Sequence, residues 1–131
     1  MFLQVGLLDD GFFMYYEDVE FCHRAKKAGW GIVYNSELTV VHLHGGSSKL
    51  KQKAINGNRL PRYYYESRIR FFYLTYGWRL LTVTNIFWCL GRIINILKGI
   101  PKFKYWPGVK GKWLDIWINW LDPLKNNISK L

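Results

Sequence analysis

Glu17 and Asp18 are the residues best placed to do chemistry in this chain. They follow an aromatic stretch, Phe12 to Tyr16, and open a segment of helical character that runs to Gly29. At a helix start one carboxylate of such a pair can face a cleft and take a proton from a bound hydroxyl, while its neighbour caps backbone amides. Capping and dipole pairing are the commoner uses of a bare Glu-Asp pair. Two histidines come next, in Val41-His42-Leu43-His44-Gly45-Gly46. Two residues apart, their side chains face the same side of a regular strand, and the glycines after them let backbone approach a ligand. A carboxylate at a helix start and an imidazole at a strand end can converge on one site. Asp9-Asp10-Gly11 reads as a turn.

The elements that must position these groups can be read from the periodicities. Phe21, Cys22, Ala25 and Ala28 share one face of a helix predicted over residues 18–28. Acidic residues stand in its first turn and Arg24, Lys26 and Lys27 near its end, as the helix dipole prefers. Gly29 is the natural stop. Residues 31–34 and 38–43 read as two short strands turning at Asn35-Ser36, with Gly45 to Ser48 as an exit loop. Residues 49–58 are polar and lysine-bearing, a linker or lid. Pro61 begins a predicted helix that runs to about Tyr76, a second helix fits residues 78–98, and a third, short one fits residues 112–121. In the second, Leu80, Val83, Ile86, Phe87, Leu90, Ile93, Ile94 and Leu97 gather on one side, with Thr84, Asn85, Arg92 and Asn95 opposite and Leu81, Trp88 and Ile96 as exceptions.

The run Gly6-Leu-Leu-Asp-Asp-Gly-Phe-Phe, followed by Glu17-Asp18, Ala28-Gly29-Trp30 and His42, resembles the acceptor half of family-2 glycosyltransferases of the rhamnosyltransferase-like kind. The resemblance covers about the first 48 residues. It implies an α/β fold: the C-terminal, acceptor-side part of a GT-A-type domain over residues 1–48, a linker over 49–59, and a mostly helical, basic, Trp-rich tail over 60–131. It implies inverting transfer of a sugar from a nucleotide-sugar donor to a cell-surface polysaccharide or lipid-linked glycan, with Asp18 as general base and Glu17 in support. His42 would be a ligand of a divalent cation, Mg2+ or Mn2+, that carries the leaving diphosphate. Asp9, Asp10, Phe13 and Tyr15 would contact the acceptor; Leu8 and Asp10 depart from the family pattern, and a structural turn is an equal reading of Asp9-Asp10. Arg24 and Trp30 are read as structural. The nucleotide-binding half, with its D-x-D motif, has no counterpart here, and Asp18-Val19-Glu20 cannot replace it, because residues i and i+2 diverge on a helix. The resemblance therefore implies part of an enzyme, inactive alone, with Met1 the product of a truncated or split reading frame.

Charge divides the 131-residue chain. Residues 1–48 hold three basic and six acidic residues, a balance of −3; the remaining sixteen basic and three acidic residues give residues 49–131 a balance of +13. Six of the seven tryptophans lie in that basic part. Tryptophan with lysine favours a lipid headgroup region over a nucleic-acid groove. The expected partner is an anionic membrane surface, and the expected location the cytoplasmic face of the cell membrane, held peripherally. The longest uncharged run between Arg79 and Arg92 has 12 residues, against roughly 20 for a span. A non-catalytic membrane-surface binder is the alternative. The interleaved tyrosines and arginines of residues 62–70 suit single-stranded nucleic acid, but no nucleic-acid-binding signature accompanies them, so no nucleic acid is expected. Cys22 and Cys89 read as reduced structural cysteines, and no signal peptide is visible.

Overall fold

The computed structural model describes residues 1–41, 59–97 and 113–125. Among these the architecture is mainly helical: α1 (Phe2–Val5), α2 (Glu17–Lys27), α3 (Arg62–Leu97) and a 3-10 turn, Asp115–Trp117. α2 ends where its glycine predicts. The amide of Gly29 bonds to the carbonyl of Lys26 and that of Trp30 to the carbonyl of Ala25, the paired bonds of a Schellman stop.

α3 is two helical arms joined at Gly77, whose φ of 78° and ψ of 174° interrupt the helix. That conformation is open to glycine and closed to residues with a Cβ. The arms fold back on one another, so that Arg68 on the first donates to Asn85 on the second at 2.9 Å. Residues 113–125 lie along both arms. Asn85 donates to the carbonyl of Ile116 at 3.0 Å, and the indole of Trp120 lies tilted against that of Trp78 with centroids 4.6 Å apart. Ile69, Leu81, Asn85 and Asp115 are completely buried at this junction. Asp115 is held by the guanidinium of Arg59, whose Nε donates at 2.8 Å and whose Nη2 bonds the other oxygen.

The α/β expectation, with the acceptor-side part of a GT-A-type domain, is corrected: no strand occurs among the described residues. Residues 31–34 and 38–41 have the predicted strand composition, yet Val33, Tyr34, Val40 and Val41 each leave more than four fifths of their surface exposed. A strand exists through the partner that takes its backbone hydrogen bonds, and no described segment pairs with these. His42 and Leu43 lie outside the described residues, as do the exit loop and residues 49–58 of the linker. The short helix expected over 112–121 is also corrected. Only three residues form a 3-10 turn, because Trp113, Trp117 and Trp120 reach different partners and Asn119 takes a positive φ of 55°.

Candidate active site

The loop before α2 is seated on the first arm of α3 by rings. Phe13 meets Tyr63 edge-on at 5.4 Å, and Tyr15 lies 6.4 Å from Tyr63 and 6.0 Å from Tyr64. Tyr16 stacks on Phe71 at 5.3 Å, and its hydroxyl meets that of Tyr64 at 3.4 Å. The Ser67 hydroxyl donates to the carbonyl of Met14 at 2.8 Å. Each such ring pair contributes about 0.5–1.5 kcal/mol beyond its buried area.

These contacts hold an uncommon backbone. Tyr15 and Tyr16 have φ of 70° and 71°, the left-handed region, which costs a bulky residue on the order of 1–3 kcal/mol. Two such residues in succession swing the chain directly into Glu17, the first residue of α2. Burial, and the bond to Tyr64, push the Tyr16 hydroxyl well above the usual phenol range.

The carboxylates behind this loop are unequal. Asp18 is exposed, with one oxygen on the amide of Val19 at 2.8 Å. Glu17 is partly buried, and its Oε2 is fully enclosed with no hydrogen-bond partner among the described residues. An enclosed carboxylate oxygen without a donor costs free energy until a hydroxyl or water reaches it. Glu20 is 4% exposed and pairs with Arg24 at 2.6 Å. Arg24 also donates to the carbonyls of Val5 and Leu7, tying α1 to α2.

Asp9 turns away from that pair. Its carboxylate takes Nε and Nη2 of Arg70 at 2.9 Å each, and Oδ1 also accepts from the amide of Gly11 at 2.8 Å. The same guanidinium lies 5.5 Å from the Phe12 ring centroid and so close to Gly11 that an added Cβ would stand 2.0 Å from its Cζ. Asp10 is exposed, Phe13 is 46% exposed, and Tyr15 is half-buried. The structure thus groups Phe13, Tyr15, Glu17 and Asp18 on one loop and helix start, and gives Asp9 to the helical arm. His42 lies outside the described residues. Among the described residues no three His, Cys, Asp or Glu side chains converge to hold a metal ion.

Sequence reasoning missed the arm itself as the support of this site. The Arg and Tyr residues of 62–70, whose interleaving suits single-stranded nucleic acid although none is expected, are engaged within the protein: Arg62 pairs with Glu66 along its own helix and Arg70 with Asp9. Arg68 stacks on Phe72 at 4.7 Å, and burial lowers its pKa.

No family model matches the chain, and no solved structure does. Over 42 residues it is 40% identical to the low-salt glycan biosynthesis hexosyltransferase Agl10 of Haloferax volcanii. Part of this chain is similar to a hexosyltransferase. The match takes in 32% of the chain and 14% of that protein's length.

Proposed function

We propose that the chain is a fragment of an inverting family-2 glycosyltransferase. It would act on a nucleotide-sugar donor and a cell-surface polysaccharide or lipid-linked glycan, at the cytoplasmic face of the membrane. The observation that carries this reading is the strained Tyr15-Tyr16 pair, which delivers an exposed Asp18 and an unsatisfied Glu17 to one helix start. Backbone strain held by surrounding rings is characteristic of sites where geometry matters for function. The 42-residue similarity to a hexosyltransferase supports the same reading.

Asp18 is assigned to take the proton of the acceptor hydroxyl as its oxygen attacks the anomeric carbon. The bond from that carbon to the diphosphate oxygen breaks, and its electron pair leaves with the nucleoside diphosphate. Glu17 is assigned to support Asp18 in orienting the acceptor sugar. A divalent cation, Mg2+ or Mn2+, with His42 among its ligands, would supply positive charge to the leaving diphosphate.

In the enzyme that carries this segment, Asp18→Asn lowers kcat by about 10²–10⁴-fold and leaves the donor KM nearly unchanged. Undiminished turnover removes Asp18 from the mechanism. The alternative, a membrane-surface protein without catalysis, is supported by the exposed apolar side chains of the second arm of α3, and a complete lack of transferase turnover in the intact protein would favour it.

A further inference from the structure

The second arm of α3 is inside out. At 100° per residue, Val83, Ile86, Phe87, Leu90, Ile93 and Ile94 fall within an arc of about 120°, and each leaves at least 44% of its surface exposed. Toward the protein the arm presents the fully buried Leu81 together with polar groups. Asn85 is 0% exposed between Arg68 and the carbonyl of Ile116, and the Arg92 guanidinium lies over the rings of Trp88 and Trp113 at 4.8 and 5.4 Å. A helix folded for water alone orients these faces the other way. A contiguous outward apolar stripe of this kind marks a docking surface.

Three observations choose the occupant. No charged residue interrupts the arm between Arg79 and Arg92, and Arg92 is turned inward. The residues that follow the arm, 98–112, contain five lysines, three aromatic residues and no acidic one, a composition that complements an anionic lipid surface. Finally, among the described residues no helix is long and apolar enough to cross a membrane. An apolar face flanked by cations, on a helix that does not span, matches an in-plane interfacial helix.

We propose that the second arm of α3 lies flat in an anionic lipid bilayer, with Phe87 and its neighbours among the acyl chains and the polar face kept on the protein. This goes beyond the transferase reading and does not depend on it.

The test is co-sedimentation of the 131-residue chain with vesicles of phosphatidylcholine, with and without phosphatidylglycerol. Binding is expected to the anionic vesicles and to be much weaker without phosphatidylglycerol. The double variant Phe87→Glu/Ile94→Glu changes only exposed positions, and unchanged circular dichroism confirms its fold. It is expected to lose at least tenfold in vesicle affinity. Leu121→Glu, 87% exposed and off the arm, leaves binding unchanged, as does Asp18→Asn. Absence of binding at low salt overturns the proposal. So does binding that the double variant retains in full, which would assign it to the lysines alone. A chain that is dimeric without lipid and made monomeric by the double variant assigns the stripe to a second copy, and overturns it too.

Discussion

The two arms of α3 are similar in length and share one helix run, yet they solve opposite problems. The first arm turns Tyr65, Ile69 and Phe71 inward and uses Arg70, Ser67 and its tyrosines to grip the loop that leads to Glu17 and Asp18. The second buries Leu81 and Asn85 and leaves its apolar side outside. A helix that supports a site must match a neighbouring backbone group by group. One that meets a fluid surface needs only a broad apolar face. Polar groups therefore crowd the inner seam, and specificity in this molecule sits there.

The seam is the place to break that contrast. Asn85→Ala removes both hydrogen bonds between Arg68, the second arm and Ile116, and leaves a half-buried guanidinium and a carbonyl unpaired. Stability falls by about 2–4 kcal/mol in urea unfolding, more than for any single change on the outward stripe. A loss under about 0.5 kcal/mol, the range of an ordinary surface substitution, would mean the seam does not hold the arms together.

Arg70→Met tests the grip on the loop, and also removes the bond from Arg70 to the carbonyl of Leu124 at 3.1 Å. It keeps the apolar stem but drops the paired bonds to Asp9, both side chains being less than a quarter exposed. The expected cost is about 1–3 kcal/mol, with faster hydrogen exchange in residues 9–16 and little change in the second arm. Equal loosening of both would show that the arms do not act separately.

Alkali gives the smallest and most selective effect. Tyr16, Tyr63 and Tyr65 all have raised pKa values, burial being the largest cause in each. A raised folded-state value means stability is whole below the unfolded phenol pKa near 10. It is then lost as pH climbs toward the folded values, because the unfolded chain gives up its protons first. Tyrosine absorbance and helix content followed together above pH 10 should show the loop releasing before the second arm melts. Simultaneous loss would merge the two regions into one cooperative unit.

Much of the helical frame was legible. α2 was placed to within one residue because its acidic start, basic end and Gly29 act locally. The division of α3 at Gly77 was visible between Tyr76 and Trp78, since glycine alone takes that backbone geometry. The strand expectation failed among the described residues. Residues 31–34 and 38–41 have β-type side chains, but pairing is a property of two segments, and composition reports on one. Of the site, the Glu17-Asp18 start stood out from order alone, whereas the enclosure of Glu17 Oε2 is a property of the folded chain and the positive φ of Tyr15 and Tyr16 is held by rings some fifty residues away.

From the order of residues alone follow the extent and stop of α2 and the two arms of α3 with their break at Gly77, the division between an acidic start and a basic, tryptophan-rich remainder, and the stripe on residues 80–94. Helical hydrogen bonds close within four residues, and charge and periodicity are counted along the chain, so neither waits on distant contacts. The tertiary structure decided which way that stripe faces, that Asp9 belongs to Arg70, and that two tyrosines carry the strain before Asp18. Each of these depends on what lies opposite in space, and burial and ion pairing are settled only there.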